Sequence, residues 1–221
     1  MKKKFIFIFV LMFMTLCSFD KREHENHISD MLYSVMEISL INNEETIAVG
    51  TGVCVDDGKK ILTVAHLFEQ EKISDFIIKG ELIDGSYYYL SIIKMDKELD
   101  LAILNFDDGD ELTPINVSDT NPYWVDDVYV IGNSRGLGLN ICKASVSCPL
   151  KIITINDRYF EMMQINITVN EGDSGGPVIN DNNELVGLIS FKLKDYTGIS
   201  ISDMSYSITI SNIKSFMNSL T

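Results

Sequence analysis

The chain has 221 residues, a formal net charge of −14 and a hydrophobic content of 46%. That length allows one large or two small domains, with enough apolar material for a real core. The acidity argues against nucleic acid as a partner, because phosphate binding needs a Lys/Arg surface.

Met1–Lys4 is basic, and Phe5–Leu16 is an unbroken apolar run. Its length suits the h-region of a secretory signal and is short for a membrane span. Residues 1–19 are therefore expected to be a signal peptide or a lipoprotein signal, with an uncleaved signal anchor as the remaining option. Leu16-Cys17-Ser18 reads as a degenerate lipoprotein site at which a lipidated Cys17 would tether the protein to a membrane, although Leu16 stands where a small residue is usual. Residues 20–30 read as a charged linker. The expected location is exported: periplasmic, extracellular or lipid-anchored at the envelope.

Beyond the linker, short runs rich in Ile, Val, Tyr and Phe alternate with turn clusters such as Asp56-Asp57-Gly58, Asp84-Gly85 and Asp181-Asn182-Asn183. Strands are expected at 31–41, 47–55, 60–64, 74–83, 87–95 and 100–105. A second set is expected at 127–132, 140–147, 150–155, 159–168, 176–180, 184–191 and 204–210. Leu112–Tyr123, with two of the four prolines and no periodicity, divides the sets. The pattern predicts an all-β chain of two small barrels, about 31–113 and 122–210. A C-terminal helix is expected over 211–220, with Ser211 as its N-cap and Ile213, Phe216, Met217 and Leu220 as its apolar stripe.

Cys142 and Cys148 fall in what reads as one extended segment. Six residues of strand span roughly 20 Å, whereas a disulfide needs Cα atoms within about 7 Å, so the two are not expected to pair. Cys54, within Val53-Cys54-Val55, reads as a small buried hydrophobe.

The stretch EGDSGGPVIN at residues 171–180 is at face value a tight turn leading into a strand. A reactive serine there needs a base, and the base needs an orienting group. Histidine is scarce. His24 and His27 lie in the linker, without the spacing of a helical zinc motif, and no metal or cofactor is expected. His66 follows the apolar run Ile61–Ala65. Asp100 is the acid that abuts an apolar run, Leu101–Leu104, while Asp96 and Glu98 read as a solvated turn. Taken singly, each of these residues has a structural reading.

In combination, TVAHLF, DLAIL and GDSGGP, in that order and spacing, resemble the trypsin/chymotrypsin-like serine proteases, with the bacterial HtrA-like branch the nearest match. Gly50-Thr51-Gly52-Val53, Gly132–Gly138 and Leu185–Ser190 are similar to further segments of that family, and the resemblance spans about residues 40–215. It implies two six-stranded antiparallel Greek-key barrels and a serine endopeptidase acting on protein or peptide substrates through an acyl-enzyme. It further implies Ser174 as nucleophile, His66 as general base and then acid, and Asp100 as the holder of the imidazole. Gly172 and Ser174 would supply the oxyanion-hole amides, and Ser190 the hydroxyl that supports the aspartate.

Thr168, with Ser190 and Lys192, would fall at the primary specificity pocket. An uncharged Thr168 argues against cleavage after Lys or Arg, and points to a small or medium apolar side chain before the scissile bond. Asp173 stands where the animal enzymes pair a carboxylate with a new N-terminus, whereas many HtrA-like chains carry Asn. No start sequence for such activation is evident, so the partner of Asp173 is open. The 47 residues after Ser174 leave no room for the PDZ domain common in HtrA-like proteins. The rival readings are a catalytically idle binding module on the same fold and a structural envelope protein.

Overall fold

A computed structural model describes residues 28–69, 76–155, 158–194 and 200–219. The expected signal, the expected Cys17 lipidation site and nearly all of the expected linker lie outside them, as does the side chain of Lys192.

Six strands, β1 (Val35–Asn42), β2 (Glu45–Val55), β3 (Lys60–Thr63), β4 (Ile77–Glu81), β5 (Tyr87–Asp96) and β6 (Leu101–Asn105), close a barrel in the order β1-β2-β3-β6-β5-β4. A second six, β7 (Asp127–Gly132), β8 (Asn140–Ile155), β9 (Arg158–Ile165), β10 (Pro177–Asn180), β11 (Leu185–Lys194) and β12 (Ser200–Thr209), close another as β7-β8-β9-β12-β11-β10. Every named pairing is antiparallel. The two barrels share one strand order shifted by six, although the sequence carries no visible repeat. The expected two-barrel, all-β architecture is the one observed.

Buried apolar side chains pack the two barrels, among them Ile38, Leu40, Val53, Ile61, Leu62, Ile103 and Leu104 on the strands of the first and Val128, Val130, Val146, Val178 and Ile189 on those of the second. The segment between the barrels, irregular in sequence, is tied to both. Leu112 N–H donates to Gly58 O at 2.9 Å and Ile115 N–H to Cys54 O at 2.9 Å, both in the first barrel. Ser118 N–H donates to Leu185 O at 2.9 Å and Leu185 N–H to Asn116 O at 2.8 Å, in the second.

Three expectations need correction. Residues 31–34 form a 3-10 turn, so the first strand starts at Val35. The runs 140–147 and 150–155 form the single strand β8, with bulges between Val146 and Cys148 and between Cys148 and Lys151. Pro149 cannot donate to a ladder, and the bulges carry it without ending the strand. The C-terminal helix α1 (Ile210–Asn218) has Thr209 at its N-cap with no side-chain capping bond, which places Ser211 inside the first turn. Ile213 and Phe216 are buried as the stripe predicts, and Met217 packs against the core.

Cys54, Cys142 and Cys148 are free thiols. Burial, with a smaller contribution from Asp57, pushes the Cys54 thiol up to about 12.

Candidate active site

The pairing of β3 with β6 brings His66 to Asp100. Thr63 lies opposite Ala102, and just beyond the ladder Ala65 N–H donates to Asp100 O at 3.2 Å. His66 thus sits one residue into the 3-10 turn Ala65–Phe68, past the end of its strand. Buried Ala65, Leu67 and Phe68 anchor that turn, leaving the imidazole exposed at the cleft. Asp100 adopts φ 56°, a left-handed conformation that Asp tolerates better than most residues.

The Asp100 carboxylate is the acceptor for three groups. His66 Nδ1 is 2.9 Å from Oδ2 and 3.1 Å from Oδ1. His66 backbone N–H donates to Oδ1 at 2.9 Å, and Ser190 Oγ donates to Oδ2 at 2.5 Å. A carboxylate oxygen accepts, so a proton on Nδ1 is the tautomer that satisfies this contact.

Ser174 stands in the turn before β10. That turn is locked to β11 by Gly175 N–H to Ile189 O at 2.7 Å and Ile189 N–H to Gly176 O at 2.8 Å. Ser174 Oγ donates to the Ser190 carbonyl at 3.1 Å. Ser190 therefore holds Asp100 with its side chain and the Ser174 hydroxyl with its backbone.

Two glycines make the turn possible. Gly172 has φ 96°, and a Cβ there would lie 2.1 Å from Asn133 O. Gly175 has φ 85°, and a Cβ there would lie 2.0 Å from Thr51 O. No L side chain fits either position. Among the described residues, neither the Gly172 nor the Ser174 backbone N–H has a hydrogen-bond acceptor. Two unengaged amides on one tight turn suit an incoming anion.

The turn is also gripped from the first barrel. Thr51 on β2 is fully buried; its N–H donates to Ser174 O at 2.8 Å and its hydroxyl to Gly172 O at 2.7 Å. The same hydroxyl accepts from Asn133 N–H at 3.1 Å, and Thr63 Oγ1 donates to Thr51 O at 2.7 Å. Asn133, after β7, donates through Nδ2 to Glu37 Oε2 at 2.8 Å and accepts Gly138 N–H on Oδ1 at 3.0 Å. Burial and then the neighbouring Glu81 raise the Glu37 carboxyl above its ordinary value.

Asp173 is 5% exposed. Ser134 Oγ is 2.8 Å from each of its carboxylate oxygens, and Asn170 N–H donates to Oδ2 at 2.7 Å. These donors answer the question of its partner that the sequence leaves open.

Thr168 lies exposed on the loop after β9. The Lys192 backbone pairs with Ser205 on β12. Thr51, Asn133, Ser134 and Glu37 escape sequence reasoning as supporting residues. Thr51 and the 132–138 loop stand within recognisable segments, but nothing in one sequence tells that the two meet.

Comparison with known proteins bears on the family and the fold. The family described as "Trypsin-like peptidase domain" matches residues 50–188. The chain belongs to the trypsin-like peptidase family. Among its relatives, the periplasmic serine endoprotease DegP of Salmonella typhimurium is 29% identical over 147 residues, 66% of this chain and 30% of that protein. The magnetosome formation protease MamE of Paramagnetospirillum magneticum is 31% identical over 142 residues, 63% of this chain and 19% of that protein. The chain thus spans less than a third of either relative. The structure is also similar in fold to a serine endoprotease from Yersinia pestis, with TM-score 0.72 and 22% identity, covering 89% of this chain and 66% of that one.

Proposed function

We propose that this protein is a secreted or envelope-associated serine endopeptidase that hydrolyses peptide bonds of protein or peptide substrates through an acyl-enzyme on Ser174. The observation that carries the reading is the convergence on Ser190, which links the Asp100–His66 pair of one barrel to the Ser174 turn of the other.

The reaction begins with rotation of the Ser174 hydroxyl from the Ser190 carbonyl toward His66 Nε2. As Ser174 Oγ attacks the scissile carbonyl carbon, its proton passes to Nε2, and the Asp100 carboxylate stabilises the imidazolium across the Nδ1–H bond. The carbonyl oxygen becomes an oxyanion and takes hydrogen bonds from Gly172 and Ser174 N–H. Each such donor lowers the barrier by about 3 kcal/mol. Collapse of the tetrahedral intermediate breaks the C–N bond, and the Nε2 proton goes to the leaving amine. Water then enters, gives a proton to Nε2 and attacks the ester; the second collapse returns the proton to Ser174 Oγ and frees the acid.

An uncharged Thr168 supports cleavage after a small or medium apolar side chain. The basic and apolar opening of the sequence, with the periplasmic DegP relatives, supports export to the cell envelope, with Cys17 as the residue for a lipid tether.

Incubation with unfolded casein tests the reading. The protein is expected to fragment it, and Ser174→Ala to leave it intact. Fragmentation that survives in Ser174→Ala, or dominant cleavage after Lys and Arg, would contradict the proposed nucleophile and pocket respectively.

A further inference from the structure

The Asp173 carboxylate lies between the two residues whose amides form the proposed oxyanion hole, and it turns inward. It passes beneath the 132–134 segment so closely that a Cβ on Gly132 would lie 2.5 Å from Oδ1. There it meets the Ser134 hydroxyl at 2.8 Å and the Asn170 amide at 2.7 Å. Asn170 O in turn accepts Asp173 N–H at 3.1 Å, closing the 170–173 turn on itself. A second clasp follows one residue on, where Arg135 N–H donates to Glu171 O at 2.6 Å. Between the clasps, Asn133 O presses on Gly172. The 133–135 segment thus touches each of residues 171, 172 and 173.

We propose that Ser134 is a positioning residue for the oxyanion hole, its hydroxyl pinning the Asp173 carboxylate so that the Gly172 and Ser174 amides point into the cleft. The inference rests on the protease reading above. The physical basis is the cost of leaving a buried carboxylate short of a donor. Without the Ser134 hydroxyl, Asp173 loses the contact that spans both of its carboxylate oxygens, and a turn toward water offers a replacement donor. Its own backbone turns with it, and the peptide planes on either side carry the two amides. A hydroxyl shared between both oxygens fixes the rotation of the carboxylate as well as its position. Ser134 itself is beyond the reacting atoms and acts through Asp173.

The test is steady-state kinetics of the full chain on a fluorogenic peptide, for Ser134→Ala, Ser134→Cys and Ser134→Thr. Each is accompanied by the inhibition constant of a peptidyl aldehyde, whose hemiacetal oxygen needs the same two amides. Removing a donor from the hole itself lowers kcat by about 100- to 1000-fold. Misaiming the hole through Asp173 is expected to lower kcat roughly 10- to 100-fold, with KM within about threefold of wild type. Aldehyde affinity is expected to fall in parallel with kcat, the isosteric but weakly donating Cys to lie between, and Thr to restore both.

Unchanged kcat in a folded Ser134→Ala, or a fall in kcat that leaves aldehyde affinity untouched, would overturn the assignment. Failure of both Ala and Cys variants to fold would make Ser134 a folding residue and overturn it as well. The wild-type chain separates this from the broader reading: no wild-type turnover sinks the protease, whereas wild-type turnover with an indifferent Ser134→Ala sinks only the brace.

Discussion

Ser190 donates a 2.5 Å hydrogen bond to Asp100, 90 residues earlier and on the other barrel. Its own carbonyl accepts the Ser174 hydroxyl at 3.1 Å. The relative placement of base and nucleophile therefore depends on one residue of β11, itself only 1% exposed. Ser190→Ala keeps the backbone contact and removes the bond to the carboxylate. A hydrogen bond to a charged group is worth about 1.5–3 kcal/mol. The expected result is a fall in kcat/KM of roughly 10- to 100-fold, read with a peptide substrate, and little change in KM.

Thr51 welds the other side of the cleft. Its hydroxyl joins Gly172 O and Asn133 N–H, and it is wholly buried. Thr51→Val fills the same space and leaves both backbone groups unpaired. Urea unfolding is expected to show a loss of about 1–3 kcal/mol for each uncompensated group, and activity is expected to fall with it. Thr51→Ser keeps the hydroxyl and should retain most of both.

Gly172 carries a severe steric demand in the turn. At φ 96°, with Asn133 O 2.1 Å from the site of a Cβ, Gly172→Ala forces the turn to move. Backbone strain of this kind costs about 1–3 kcal/mol, so the variant should still fold. The displaced amide should lower kcat by about 100-fold or more, measured against wild type at saturating substrate.

Much of this was legible in the sequence, and the reason is local. Strand alternation and turn residues report short-range preferences, which is why two sets of strands were visible. The motifs around His66, Asp100 and Ser174 are contiguous, so they could be read as written. What escaped depends on contacts across the barrels. Thr51 meets Gly172 121 residues away, and Glu37 meets Asn133 96 residues away. No periodicity in a single chain encodes such pairs. Pro149 lies in the gap between the two expected strands 140–147 and 150–155, and the ladder runs past it through bulges. Ser211 has the chemistry of an N-cap, yet the cap falls two residues earlier at Thr209, and the buried Ile210 opens the helix.

The cysteines should differ sharply in reactivity. With its thiol pushed up to about 12, buried Cys54 holds about one part in ten thousand as thiolate at pH 8, whereas Cys142 is exposed. A thiol-specific maleimide is expected to modify Cys142 promptly and Cys54 only on unfolding, as read by peptide mass mapping. Because folding keeps the proton on Cys54, its contribution to stability is full below the ordinary value of 9.0 and is lost as pH rises toward about 12. Cys54→Ala should flatten that part of the stability profile.

The central claim is that Ser174 is a nucleophile activated by His66 and Asp100. Its most direct test is a fluorophosphonate probe applied to the folded chain, followed by mass mapping of the adduct. The account predicts one phosphonyl group, on Ser174, formed quickly in the wild-type protein, slowed by several orders of magnitude in His66→Ala and absent in Ser174→Ala. Folded wild-type protein that stays unlabelled, or labelling that persists at full rate without His66, would contradict it.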